Sequence, residues 1–393
     1  MQRATLIIII LISLVSYNVC AAYAGIDDVT IHGFISQGYL KTTNNNFIIE
    51  NSKDGSAEFN EAGLNFSTEI TDNLRGGLQL FSRDLGKIGN NRLKLDWGFL
   101  DYSLKDEIGL RVGKIKSPIG LYNQGRDVDL LRSSILLPRS VYPEDLRDIF
   151  VATNGLELYG SLPLSKAGSL EYELFYGAMS VEDNMPFFIN LVAEVVGAVP
   201  NKLKTTIDYI VGAQFRWNTP INGLRLGTTF IRVDIKSNYS PIAADITLLL
   251  PNLYIISGEY VWENLTISSE LTRSQYQYNN IPLVGSTKGF LEGYYTQASY
   301  RFFNWLEAGT YYSVYYGNKD DKKGDYHKAL GLGDYNAWEK DWAIFARFDI
   351  TDSWLIKLET HFVDGVAQGY TTYNLAGFKR KWKLYSVKTT FNF

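Results

Sequence analysis

The chain has 393 residues, a formal net charge of −4 and one cysteine, with Tyr 27, Phe 21 and Trp 8. So mild a charge excludes a nucleic-acid binder driven by bulk electrostatics, and one cysteine excludes a disulfide-stapled fold. The mean hydropathy of −0.11 resembles that of a water-soluble protein, but a barrel that hides its lipid face in alternation scores the same way.

At the N-terminus, Arg3 precedes the apolar run Leu6-Ile7-Ile8-Ile9-Ile10-Leu11-Ile12, and the small-residue triplet Ala22-Tyr23-Ala24 follows. This is the layout of a secretory signal peptide, cleaved after about residue 24; the run falls short of the roughly 20 residues a spanning helix needs. Cys20 is no lipoprotein site, because Tyr17 and Val19 stand where small and aliphatic residues belong. Residues 25–393 are then one domain without cysteine.

Period-two alternation dominates that domain. Ile207, Tyr209, Val211, Ala213, Phe215 and Trp217 alternate with Asp208, Gln214 and Arg216. The same holds for Tyr294 to Phe302, for Trp342 to Ile350 and for Trp354 to Phe362. Segments of about 10–13 residues exceed the ~5–6 of soluble strands and match tilted strands that cross a bilayer. Short connections (71–73, 105–107, 218–223, 263–264, 303–304, 351–353) alternate with long ones (42–56, 117–148, 181–206, 236–252, 318–340, 364–381). Short turns on one side and long loops on the other mark an outer-membrane barrel. Trp217, Trp262, Trp305 and Trp354 flank short turns and predict one aromatic ring; Trp342 and Trp382 adjoin long loops and predict the other.

The segment 117–148 stands apart. After the strand that contains Gly109 to Ile115, Pro118 and Gly120 stop the ladder. The run that follows is far longer than a hairpin loop. It carries Arg126, Asp127, Asp129, Arg132, Arg139, Glu144, Asp145 and Arg147, threaded with Leu130-Leu131, Ile135-Leu136-Leu137 and Val141-Tyr142. A loop lying only in solvent has no use for those apolar anchors, whereas a loop folded inward against a wall does. Two stretches leave the strand count open between 16 and 18. Residues 186–200 have helical spacing, and 243–256 are apolar around Leu248-Leu249-Leu250 and Pro251. Either they pack the rim, or they form a subunit contact or an extra hairpin.

The last strand puts Tyr385, Val387, Thr389, Phe391 and Phe393 on one face and Ser386, Lys388, Thr390 and Asn392 on the other. Tyr385, Phe391 and Phe393 are the expected assembly signal, and this strand is expected to pair with the first, near residues 29–41, so that no edge faces lipid.

Asp101-Tyr102, Arg111-Val112-Gly113-Lys114, Ser117-Pro118-Ile119-Gly120-Leu121-Tyr122 and Arg126-Asp127-Val128 through Leu137-Pro138 resemble the phosphate-selective porin O and P-like family, mainly over residues 95–160. The resemblance implies a third loop folded into the barrel, a homotrimer, and anion selectivity from wall arginines and constriction lysines. This loop departs from the pattern: after Lys116 it holds no lysine, and its arginines are matched by acids. The expected constriction comprises Lys114, Lys116, Arg126, Asp127, Asp129, Arg132, Arg139, Glu144, Asp145 and Arg147. Arg75, Arg111, Arg216, Arg225, Arg301 and Arg347 are the expected pore wall, within a wider inward set that adds Arg83, Arg92, Lys94, Arg273 and Lys357, with Glu69, Asp96, Asp208, Glu259, Glu270, Asp349 and Glu359.

The sequence therefore predicts an all-β, transmembrane, antiparallel up-and-down barrel of about 16 strands, with 117–148 as a constriction loop in the lumen. Its expected place is the outer membrane of a Gram-negative bacterium, among lipid and lipopolysaccharide, reached through the outer-membrane assembly machinery. The expected function is passive diffusion of small anionic or neutral hydrophilic solutes and ions, with no nucleic acid and no cofactor. An adhesin or receptor barrel is the alternative. An outer-membrane enzyme is weaker, because only His32, His327 and His361 exist and spacing places no serine or acid beside them. No metal is expected either: Asp320, Asp321 and Asp325 share a loop with Lys322 and Lys323 and lack an EF-hand pattern.

Overall fold

The computed structural model describes residues 29–197, 199–240, 244–281 and 285–393. The expected signal peptide lies outside the described residues. The strands are β1 (Thr30–Thr42), β2 (Phe59–Thr71), β3 (Leu74–Leu85), β4 (Lys94–Lys105), β5 (Ile108–Lys116) and β6 (Ala152–Pro163). They continue as β7 (Ser169–Ser180), β8 (Lys202–Asn218), β9 (Leu224–Ser240), β10 (Ala244–Trp262) and β11 (Leu265–Ile281). The remainder are β12 (Gly285–Phe303), β13 (Leu306–Tyr316), β14 (Trp338–Thr351), β15 (Trp354–Gly365) and β16 (Lys381–Asn392). Each pairs antiparallel with its sequence neighbours, and β1 pairs with β16 from Phe34↔Asn392 to Thr42↔Leu384. The sixteen described strands thus form a closed ring, and the ladder satisfies backbone groups that lipid could not.

Burial along the strands is inverted relative to a water-soluble sheet. In β16 the apolar residues Tyr385, Val387 and Phe391 are 45%, 38% and 52% exposed, while Ser386, Lys388 and Thr390 on the opposite face are buried. In β1, likewise, Ile31, Ile35 and Tyr39 are exposed and Ser36 is buried. A continuous apolar belt of this kind is unfavourable against water and stable against hydrocarbon.

Trp217, Trp262, Trp305 and Trp354 are all exposed beside the short turns, as their positions predict. Trp305 stacks on Phe303, with ring centroids 5.5 Å apart and planes 8° apart. At the other end Trp342 is exposed, but Trp382 corrects the expectation: it is 5% exposed and packs on Phe47 at 4.9 Å. Its even number puts it on the face of Ser386 and Lys388, so strand parity overrides nearness to a long loop.

The wall is uneven in height. β8 to β12 have 17 to 19 residues, against 9 to 14 in the others. Of the stretch 236–252, expected as a long loop, residues 236–240 and 244–252 are instead the upper arms of β9 and β10. Pro251 hides the strand signal because it lies where the β10 register shifts, between Leu250 and Leu253, so its missing N–H costs no regular ladder bond. A second shift in β8, between Ile207 and Tyr209, turns Ile207 onto the buried face, off the face of Val211 and Trp217 on which simple alternation placed it.

A one-turn helix, α1 (Arg147–Phe150), returns the chain to β6, and α2 (Pro186–Val196) follows β7. The helix read from the spacing in 186–200 is therefore real, and Gly197, left-handed at φ 80°, ends it. Phe188 and Val192 of α2 pack with Leu203, Ile207, Ile235, Ile246 and Leu248 of the arms. That is the rim-packing reading.

Candidate functional site

Residues 117–148 leave β5 and return to β6, with the Ser117 N–H donating to Val151 O at 3.0 Å across the base. Between these ends the segment bonds to the polar, buried faces of strands on every side of the ring.

Toward β8 to β12, Glu270 is the hub. It accepts from the Leu121 N–H at 2.9 Å, from Ser257 Oγ at 2.6 Å, from Tyr295 Oη at 2.8 Å and from Tyr142 Oη. Gly120 donates its N–H to Thr229 Oγ1 at 3.2 Å and accepts from Gln214 Nε2 at 2.8 Å. Glycine relieves strain at 120: φ is +59°, and a Cβ would lie 2.3 Å from Tyr142 Oη.

Toward β13 and β14, Ser313 Oγ donates to Ser140 Oγ at 2.9 Å, and Ser133 Oγ bonds Glu307. Arg139 pairs with Asp145 at 3.2 Å and Glu339 at 3.4 Å, with its guanidinium 4.2 Å from the Phe47 ring centre. Arg347 of β14 donates to Leu130 O.

Toward β15 and β16, Asp129 meets Lys357 at 3.0 Å, Lys388 at 3.4 Å and Thr390 Oγ1 at 2.8 Å. Lys388 also holds Glu61 of β2 at 2.6 Å. Glu359 accepts from the Ile135 and Leu136 N–H groups and from His361 Nε2 at 2.7 Å. Arg132 reaches Asp129 at 3.4 Å.

Toward β3 and β4, Arg147 grips Asp96 with two nitrogens, at 2.6 and 2.9 Å. Glu144 takes Arg83 at 3.0 Å and Arg126 at 3.1 Å, and Asp148 takes Lys94 and, at 3.3 Å, Arg83. Lys116 pairs with Asp127 at 2.9 Å. Lys114 donates to Leu95 O at 2.6 Å, next to where the β4–β5 ladder stops at Gly98↔Lys114.

Burial alone would push the carboxyl of Asp129 up, but Lys357, Lys388 and Arg132 outweigh it and hold it well below the usual carboxylate range. Asp148 is held down in the same way, against its own burial, by Arg83, Lys94 and Arg147. Both anchors are therefore ionised.

Every expected wall arginine has an acidic partner. Arg75 and Arg111 share Asp101, at 2.7 and 3.1 Å, and Arg111 adds Glu157 at 2.9 Å. Arg216 meets Glu171 at 3.0 Å and Glu173 at 3.3 Å, and Arg225 meets Glu259 at 2.6 Å. Arg301 bridges Glu307 and Asp349, and Arg347 also takes Asp349. A net basic wall, the premise of an anion filter, is not what these pairs make. Three members of the wider inward set are misplaced. Arg92 lies outside the strands and pairs with Glu182, while Asp208 sits at the β8 bulge, exposed, paired with Lys236. Arg273 is three residues from inward Glu270 and so points outward, to Glu292.

Sequence reading missed Glu339, Lys388 and Thr390 as partners of this segment, and Glu61 as the second partner of Lys388. A charged or hydroxyl residue in register with the polar face at mid-strand was the available signal. Tyr385, Phe391 and Phe393 are all exposed, and Phe393 exchanges backbone hydrogen bonds with Gly33 at 2.9 and 3.0 Å. Among the described residues, no three His, Cys, Asp or Glu side chains are grouped to hold a metal ion.

No family model matches the sequence, and no curated protein matches it. Solved structures do. Salmonella typhi OmpF in complex with daunomycin is 13% identical, with 93% of this chain and 97% of that chain covered and a TM-score of 0.60. The anion-selective porin of Comamonas acidovorans is 12% identical over 93% of this chain and 99% of that chain, at a TM-score of 0.56. The outer membrane channel DcaP of Acinetobacter baumannii matches at 12% identity over 93% and 97%, again at 0.56. At such identities the property held in common is the fold, an antiparallel β-barrel closed on itself.

Proposed function

We propose that this chain is an outer-membrane porin, a channel for passive diffusion of small hydrophilic solutes, with residues 117–148 as the element that sets its aperture. One observation carries the reading: a closed barrel with an apolar outside has a charged interior, and the long connection 117–148 bonds to that interior. The fold-level likeness to outer-membrane channels agrees with it. Cleavage near residue 24, a Gram-negative outer membrane and a homotrimer belong to the same proposal.

The pairing of each wall arginine with an acid favours weak ion selectivity over the anion preference that the family resemblance implies. Catalysis finds little support: both ring nitrogens of His361 are taken, by Asp341 at 2.8 Å and Glu359 at 2.7 Å, leaving none to activate a nucleophile. Conductance of the purified, refolded protein in planar bilayers tests the proposal. Stepwise insertion of ion-conducting units is the expected result. Protein that is folded and inserted yet silent at every voltage would leave the adhesin or receptor reading in its place.

A further inference from the structure

We propose that residues 117–148 form a strap that shuts the lumen in this conformation, and that conduction requires its far half, residues 129–140, to let go of β13 to β16. The inference rests on the channel reading above and goes further, since a loop that only narrows a pore leans on one side of it. This one is rooted at β5 and β6, while β13 and β14, which take Ser140 and Arg139, stand opposite in a ring of sixteen. The strap therefore spans the diameter.

It also touches the ring at each quarter: β4 through Arg147 on Asp96, β8 through Gly120 on Gln214, β12 through Ser140 Oγ on Tyr294 O at 3.2 Å, and β16 through Asp129 on Thr390. In a water-filled lumen the polar side chains at these four places would be wet. Instead Asp96 is 1%, Gln214 3%, Tyr295 1% and Thr390 0% exposed. Nearer the short turns the interior is open, with the side chains of Arg75 and Arg225 61% and 37% exposed. Closure is thus confined to the level of the strap.

Ser140 and Ser313 offer a lock. Their hydroxyl oxygens are 2.9 Å apart, so a cysteine at each position brings the two sulfurs within reach of one another. The double variant Ser140→Cys/Ser313→Cys is to be refolded, checked for heat-modifiable migration, and measured in planar bilayers oxidised and then reduced. At least a tenfold lower conductance when oxidised, restored by reductant, is the expected result. Equal conductance in both states overturns the strap and leaves the channel standing. Silence in both states of folded protein overturns the channel and the strap together. As a second measurement that does not depend on disulfide formation, Asp129→Asn, which removes the charge that Lys357 and Lys388 face, should raise the open fraction of the channel several-fold. An unchanged open fraction also overturns the proposal.

Discussion

Asp129 concentrates the electrostatics of the strap in one carboxylate. Its folded-state pKa is depressed from the ordinary 3.8, as is that of Asp148. A depressed carboxyl stabilises the folded arrangement above its unfolded pKa, and that contribution is lost only as pH falls through the folded value. These two anchors should therefore stay ionised from neutral pH down to about pH 4, with their loss confined to stronger acid. Carboxyl titration followed by NMR checks this; a midpoint for either group between pH 5 and 6 would refute it. Gly120 supports a second residue-scale prediction. Gly120→Ala places a methyl in left-handed backbone against Tyr142 and Glu270, at a cost of roughly 1–3 kcal/mol. The temperature of the heat-modifiable gel shift should fall, whereas the same change at Gly258, whose built Cβ comes no nearer than 3.5 Å to Leu226, should do far less.

At the scale of elements, the closing strand and the tall arms do different work. The Phe393 ring lies over Gly33, where an added Cβ would be 2.3 Å from it, so ring and glycine complete the β1–β16 seam. Removing the ring with Phe393→Ala exposes the seam without breaking its backbone bonds. Slower assembly into the heat-modifiable form is expected, with unchanged conductance per inserted unit; normal assembly would deny Phe393 its role. The arms of β8 to β12 exceed the other strands by several residues at ~3.3 Å each and carry the cluster that seats α2. Their strand character was hard to read locally because Pro251 and the shift near Asp208 interrupt the alternation. Each interruption is a bulge, in which one residue drops out of the two-residue period and the pattern resumes on the other face.

For the whole molecule, the ion selectivity of the proposed channel would follow from which charges meet water. Arg126, Arg132 and Arg139 have side chains only 1%, 10% and 7% exposed and sit in ion pairs, whereas Arg225 stays open toward the short turns. Arg225→Glu, a change of about two charges beside Glu259, should move the reversal potential toward cations at low salt and less at high salt. Arg126→Glu should instead weaken the hold on Glu144 and disturb closure. If Arg225→Glu leaves the reversal potential unmoved at low ionic strength, the turn-side mouth is not where ions are sorted.

Alternation over ten residues is a local property, so the strands other than the upper arms of β9 and β10, the apolar outside, the four tryptophans at short turns and the pairing of the last strand with the first were legible in the sequence. The same local pattern singled out 117–148, since no hairpin needs that length or those apolar anchors. What Asp129, Arg139 or Arg147 would meet was not legible, because their partners lie 259, 200 and 51 positions away along the chain. Only closure of the ring brings Lys388, Glu339 and Asp96 to them. Charge neutrality of the wall was hidden for the same reason: Arg75 and Arg111 count as two positive charges in a list of residues. In the barrel they flank one Asp101, because strand register, which each strand sets with its neighbours, puts all three side by side.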